Sequence, residues 1–266
     1  MKKKITVRDF HKLKNDGRKI CALTAYDAPT AKLAENAGVH LVLVGDSLGM
    51  TVLGYKNTLP VTLEESLHHC RAVSRGVVNS FIVGDMPFMT YHISREQALV
   101  NAAKYLQSAG VDAVKLEGGK KMASTVEALV ESGIPVLGHI GLLPQKVLTS
   151  GGYRIAGRTE DEAERLIEDA LAIQNAGAFA VVLEGIPAVL AGKITESIDI
   201  PTIGIGAGPL CSGQIQVVND ILGMFTDFVP KHAKKYADIG SVIKKAFSDY
   251  VSDVQSAQFP GDEHSF

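Results

Sequence analysis

Six ionisable residues of this 266-residue chain fall at or near the ends of short apolar runs: Asp46, Asp85, Lys115, Glu117, His139 and Glu184. The runs that carry them are HLVLVGDS (40–47), SFIVGDMP (80–87), DAVKLEGG (112–119), PVLGHIG (135–141) and FAVVLEGI (179–186). Carboxylates gathered at one place repel one another and take up protons unless a cation relieves them. An all-oxygen set built from Asp46, Asp85 and Glu117 suits Mg2+, and Mn2+ or Co2+ could use the same oxygens. Such an ion, with open positions and a lysine and histidine beside it, fits a small 2-oxo acid that chelates through its carboxylate and keto oxygen. The ion would act as a Lewis acid on the keto oxygen, making the neighbouring carbon acidic. Glu184 comes from a different strand than the ligand candidates and is the candidate general base.

Each residue also has a plainer reading. A carboxylate after a strand is often a helix N-cap, which could account for Asp46 or Asp85. Lys115 and Glu117 could form a structural ion pair, although buried pairs stabilise weakly. A single histidine such as His139 is more often structural than catalytic. Their placement on five consecutive strands favours the functional reading, because a shared site needs such convergence.

Elements must hold these positions. Besides the five runs above, ICALTAYD (20–27), PTIGIGAG (201–208) and, least clearly, MFTDFVP (224–230) have the same character. All are short and apolar on both faces, as strands of a covered parallel sheet are. Between them the spacing predicts helices over 28–37, 62–75, 95–109, 120–132, 160–176, 187–197 and 238–256. Thr62 with Glu65, Ser94 with Gln97 and Thr159 with Glu162 make capping signatures, and Gly38, Gly110 and Gly177 are stops. Alternation of strand and helix implies right-handed βαβ units. The expected fold is α/β, a (β/α)8 TIM-type barrel, as one domain over 1–266. A helix within 1–18 plugs its lower end, and 257–266 is a polar tail. An open doubly wound sheet would place a glycine-rich turn after the first run, where the chain reads TAYDAPTA. GIGAG (204–208) lacks the dinucleotide spacing and reads equally well as a tight turn.

In a barrel the site lies at the carboxyl ends of the strands. Alternate strand residues share a face. Val42 and Val44 thus carry Asp46 with them, Phe81 and Val83 carry Asp85, and Ala180 and Val182 carry Glu184. Lys115 and Glu117 point together. If these faces line the interior, all the acids emerge at one mouth.

The net charge of −2 and the lack of a basic face make nucleic acid an unexpected partner. No run approaches the roughly 18 apolar residues of a membrane span, so no membrane association is expected. The basic start lacks a signal peptide's apolar region. Cys21, Cys70 and Cys211 fit neither a disulfide framework nor a CxxC site and read as small buried thiols of a reducing cytosol.

At the candidate site residues the sequence resembles the ketopantoate hydroxymethyltransferase family. The resemblance runs through TAYD (24–27), LVGDSLGMTVLGY (43–55), TLPVTLEE (58–65), GDMPFMTY (84–91) and VKLEGG (114–119). It continues in GHIGLLPQ (138–145), GGYRIAGR (151–158), LEGIP (183–187), GIGAG (204–208) and FPGDEHSF at the end. Order and spacing together make it specific. It implies a barrel of the phosphoenolpyruvate/pyruvate-binding group that carries Mg2+. Its reaction would move a one-carbon unit from methylenetetrahydrofolate to 3-methyl-2-oxobutanoate through an enolate, giving ketopantoate on the route to pantothenate and coenzyme A. By the same resemblance Asp46, Asp85 and Glu117 are metal ligands, with Glu117 acting either directly or through a water. Ser47, Lys115 and His139 contact the oxo acid, Asp46 and Asp85 lie against it, and Glu184 accepts the proton. A cytoplasmic homodecamer is implied as well. Two other readings stay open: a metal-dependent lyase or decarboxylase of 2-oxo acids, and a non-catalytic scaffold. Against the lyase, LEGGKKMAS lacks the cysteine such enzymes often carry after a middle strand. Against the scaffold stands the crowded acidic mouth. The glycine-rich segment 149–158 reads by default as a surface loop, with a lid or folate contact as the alternative.

Overall fold

Eight parallel strands close into a barrel in sequence order: β1 Ile20–Thr24, β2 Leu41–Val44, β3 Phe81–Asp85, β4 Ala113–Lys115, β5 Val136–Gly141, β6 Ala180–Glu184, β7 Thr202–Ile205 and β8 Gly213–Gln216. These come from a computed structural model that describes residues 3–225 and 230–266. The strands lie in one compact unit ending at Gln216, and Val217–Phe266 forms a second. The (β/α)8 fold expected from the alternation is the one observed.

The first seven strands fall on the expected runs; the eighth does not. It is GQIQ, whereas the expected run 224–230 includes residues 226–229, which lie outside those described. Hydropathy passes over β8 because only Ile215 on it is strongly apolar and fully buried, with Gln214 and Gln216 half-buried on alternate positions.

The interior is filled by Ile20 and Ala22, Leu41 and Leu43, Phe81 and Val83, Ala113, Leu137, Ala180 and Val182, and Ile203 and Ile205. Helix Val7–Asn15 adds Phe10 and Leu13 to this cluster. The Phe10 ring meets Phe81 edge-on at 5.3 Å and lies 5.6 Å from Phe179, so three aromatic rings close the end opposite the site. Burying a ring of this size stabilises by roughly 1.5–3 kcal/mol.

Helix boundaries follow their caps. Thr62 and Glu65 form a reciprocal box, Glu65 N–H donating to Thr62 Oγ1 (3.2 Å) and Thr62 N–H to Glu65 Oε2 (2.7 Å), at the head of Leu63–Gly76. Ser94 and Thr159 cap Arg95–Ala109 and Glu160–Asn175, but Gln97 and Glu162 turn back to the N–H groups of Ile93 and Arg158 instead. Gly110 ends its helix at φ +69°, a conformation that penalises any side chain. Of the three thiols, Cys70 and Cys211 are buried, but Cys21 is exposed on β1 rather than buried as expected.

One turn rests on a carboxylate distant in sequence. Glu35 accepts the backbone N–H groups of Val78, Asn79 and Ser80 just before β3. Burial alone would raise its pKa, but these three donors outweigh burial and hold it below the usual range. The stabilisation is therefore present above the unfolded-state pKa of about 4.3 and lost as pH falls through the lower folded value. Glu35→Gln is expected to cost about 1 kcal/mol at neutral pH in urea unfolding, a modest figure because the group is partly in water. The gap from the parent should close below about pH 4; a gap independent of pH would rule out the charge as its source.

In the second unit, helices Val218–Leu222 and Ile239–Gln255 are joined through Tyr236 N–H, which donates to Ile221 O (2.8 Å). The tail turns back on the long helix, the Phe259 ring lying 5.8 Å from Tyr250 and 5.0 Å from His264.

Candidate active site

At the carboxyl ends of β2 to β6 the six residues meet. Asp85 ends β3 and is paired with Lys115, whose Nζ lies 2.8 Å and 2.9 Å from its two oxygens. Glu117 Oε1 is 3.9 Å from the same ammonium. His139 stands between two acids, Nδ1 3.6 Å from Glu117 Oε1 and Nε2 3.2 Å from Glu184 Oε2, at ion-pair distances without hydrogen-bond alignment. Asp85, Lys115, Glu117 and Glu184 are delivered as the alternation predicts, because Val83, Ala113 and Val182 of the same strand faces lie in the interior cluster.

Asp46 arrives by a different route. In β2 the interior residues are Leu41 and Leu43, so Val42 and Val44 do not carry Asp46 inward as expected. The strand stops at Val44 and the chain turns at Asp46, which ends the pleat's alternation. The turn still brings Asp46 to the mouth: its N–H donates to Asp85 Oδ2 (3.1 Å) and its Oδ2 accepts from Gln145 Nε2 (2.9 Å). A Cβ on Gly45 would stand 2.9 Å from Ser47 Oγ, so a side chain there would have to displace that hydroxyl. Neither Asp46 nor Asp85 caps a helix; the short helix Leu48–Thr51 starts from Ser47 without a side-chain cap. Ser47 Oγ is paired with Tyr26 OH at 2.9 Å.

Gly141, at φ +100°, closes β5 against β6. A Cβ there would collide with the Glu184 carbonyl, so glycine permits the approach that sets His139 beside Glu184.

The electrostatics follow from burial. The side chains of Asp85 and Glu117 are 2 % exposed and that of His139 2 %, whereas Glu184 retains 22 %. Burial, then Asp85 and Glu117, push the Asp46 pKa well up despite Lys115 and Gln145. Burial also raises Asp85 against the pull of Lys115. Glu117 goes the other way: burial would raise it, but His139, Lys115 and the Gln145 N–H hold it down. Burial and the Lys115 charge oppose protonation of His139, yet Glu117 and Glu184 outweigh them and lift its pKa to about 9. Lys115, in spite of burial, is held protonated by Asp85, Glu117 and Asp46.

Four carboxylates thus face two cations, and burial, with repulsion from Asp85 and Glu117 added to it, raises the Asp46 pKa. That hard, oxygen-rich, acid-excess set fits one divalent cation. The structure clusters Asp46, Asp85 and Glu117 without converging them as a ligand set. Among the described residues no three His, Cys, Asp or Glu side chains are so arranged. Lys115 lies against Asp85 and near Glu117, and Gln145 bonds both Asp46 and Glu117.

Two residues given no role from sequence belong to the site: Gln145, at the end of GHIGLLPQ, and Tyr91, at the end of GDMPFMTY, whose hydroxyl donates to Gln145 Oε1 (2.7 Å). Neither titrates near neutrality nor sits at a strand end, so spacing and charge offered no signal. From the segment 149–158, Tyr153 reaches the rim, its hydroxyl 3.5 Å from Met50 Sδ. Burial and the Asp46, Glu184 and Glu117 carboxylates raise its pKa, which sets it within their field.

The barrel has structural neighbours at low identity, which share the fold. A phosphonopyruvate hydrolase solved with oxalate and Mg2+ matches with TM-score 0.63 at 13% identity, covering 97% of this chain and 92% of that one. A 2,3-dimethylmalate lyase of the PEP mutase/isocitrate lyase superfamily matches with TM-score 0.60 at 15% identity, covering 98% and 91%. Sequence relatives are much nearer. The 3-methyl-2-oxobutanoate hydroxymethyltransferase of Heliobacterium modesticaldum is 52% identical over 266 residues, 100% of this chain and 96% of that protein. The protein of the same name from Chloroflexus aurantiacus is 55% identical over 262 residues, 98% and 92%. Residues 4–262 match the family described as ketopantoate hydroxymethyltransferase. The chain belongs to the ketopantoate hydroxymethyltransferase family.

Proposed function

We propose that this chain transfers a hydroxymethyl group from methylenetetrahydrofolate to 3-methyl-2-oxobutanoate, forming ketopantoate for pantothenate and coenzyme A biosynthesis. The observation that carries the mechanism is the contrast in exposure at the mouth. Glu184 keeps a solvent-facing carboxylate, while the acids beside it are sealed in. A bound oxo acid can therefore meet Glu184 on one side and the buried polar cluster on the other. Asp46, Asp85 and Glu117 are the residues to hold Mg2+, or Mn2+ or Co2+ in its place, which supplies Lewis-acid polarisation of the 2-oxo group when bound.

The chain's own groups do the rest. Lys115 and the protonated His139 offer positive charge and N–H donors to the oxo acid, and Ser47 offers a hydroxyl. Glu184 takes the proton from carbon 3, with His139 Nε2 lying 3.2 Å from its Oε2. The carbanion at carbon 3 joins the one-carbon unit; water supplies the hydroxyl oxygen and tetrahydrofolate leaves. No helix among the described residues is long and apolar enough to cross a membrane. A cytoplasmic homodecamer remains the expectation that the family resemblance supports.

The test is incubation with 3-methyl-2-oxobutanoate and Mg2+ in D2O, with and without methylenetetrahydrofolate. Metal-dependent deuterium exchange at carbon 3 is expected, and ketopantoate once the one-carbon donor is present. Cleavage of the oxo acid would instead favour a lyase, and no exchange with any of the three metals would remove the enolate mechanism.

A further inference from the structure

Gln145 sits in the turn Pro144–Lys146 after β5, buried among charges it does not share. A side-chain amide has one acceptor oxygen and two N–H donors. Here Oε1 accepts from Tyr91 OH (2.7 Å), and Nε2 donates to Asp46 Oδ2 (2.9 Å) and to Met86 O (3.0 Å). The Tyr91 oxygen itself accepts the Glu117 N–H (3.0 Å), and its proton has the Gln145 oxygen at 2.7 Å as a nearer acceptor than the Glu117 carbonyl at 3.4 Å. That chain fixes the amide's orientation, because a flipped amide would set oxygen against a carboxylate and N–H against the tyrosine proton. The Gln145 backbone N–H donates in addition to Glu117 Oε2 (3.1 Å). A single residue thus grips two acids and a carbonyl from the ends of β2, β3 and β4. It engages one oxygen of Asp46 and one of Glu117, leaving the other oxygen of each outside this network.

We propose that Gln145, oriented by Tyr91, is a positioning residue that presents Asp46 and Glu117 as a preorganised ligand pair for the divalent cation. The inference rests on the metal reading of the site given above. Without the amide, Asp46 loses this anchor while the Gln145 backbone N–H still holds Glu117, so the pair's relative placement is no longer fixed and ion binding must then order it.

The experiment titrates Mn2+ into the full-length protein and its Gln145→Met and Tyr91→Phe variants. Free ion is read by electron paramagnetic resonance, and thermal unfolding is recorded in parallel. Gln145→Met keeps the side chain's length but removes its three hydrogen bonds. It is expected to weaken Mn2+ binding by about 10- to 100-fold, the range for losing an outer partner of a metal ligand. Tyr91→Phe should weaken it in the same direction but less. The double variant should be no worse than Gln145→Met alone, since both act through one network. If Gln145→Met fails to unfold cooperatively, Tyr91→Phe carries the comparison. A drop in Tm with unchanged Mn2+ affinity in the variants means a merely structural role and overturns this inference alone. Failure of the parent protein to bind Mn2+ overturns the metal reading, and this inference with it.

Discussion

Glu184→Gln is expected to abolish deuterium exchange at carbon 3 of 3-methyl-2-oxobutanoate while leaving metal binding and Tm close to the parent's. Glutamine keeps the length and shape but cannot take a proton. A positioned general base contributes about 10²- to 10⁴-fold, so the loss should lie in that range or beyond. The partial exposure of Glu184 makes the swap structurally mild, since its carboxylate is not locked among buried charges as Asp85 is. The neighbouring imidazole adds a second readout. Glu184 is one of the two acids that lift His139 to about 9, so the His139 pKa measured by NMR should fall in the variant. Exchange at the parent's rate would remove Glu184 as the base; a lost signal with an unfolded protein is distinguished by the Tm.

Lys115→Met is expected to be the most destabilising change at the site. It strips the cation from Asp85, a fully buried acid paired at 2.8 Å, and from Glu117. Breaking a buried pair by removing one partner costs about 3–5 kcal/mol. Burial already raises the Asp85 and Asp46 pKa values, and without the ammonium they rise further. A carboxylate whose folded pKa lies above its unfolded value contributes stability at low pH that is lost as pH rises through the folded pKa. The variant should therefore lose most Tm at neutral and higher pH and recover towards pH 4. Mg2+ should raise its Tm more than it raises the parent's, because the ion replaces the missing charge. A pH-independent Tm deficit, or one that Mg2+ does not touch, would separate the lysine's role from charge compensation.

Most of the site was legible because its rules are local. Within a strand the side-chain period is two, so Val83 and Val182 foretold the direction of Asp85 and Glu184. Thr62 and Glu65 announced a helix start because a capping box spans only one turn. Glycines at helix ends marked stops for the same reason. The family resemblance added the reaction, which no periodicity contains.

Where an element ended, the local rules ended too. Asp46 lies beyond the last residue of β2, so its direction came from the Gly45 turn and the Asp85 carboxylate, not from the pleat. Strand β8 was hidden because only alternate residues of GQIQ are fully buried, and the half-buried positions are glutamines. The Gln145–Asp46 bond joins residues 99 apart, and Tyr91–Gln145 residues 54 apart. Such hydrogen bonds exist only once the barrel brings the loops after β2, β3, β4 and β5 onto one rim. Strand order and alternation, written residue by residue, fix that Asp85, Lys115, Glu117, His139 and Glu184 reach the mouth, whereas Asp46 reaches it only through its turn. Only the tertiary structure decided which acid is paired, which is shared with an amide and which faces solvent. Those outcomes depend on burial and on distances between loops remote in sequence.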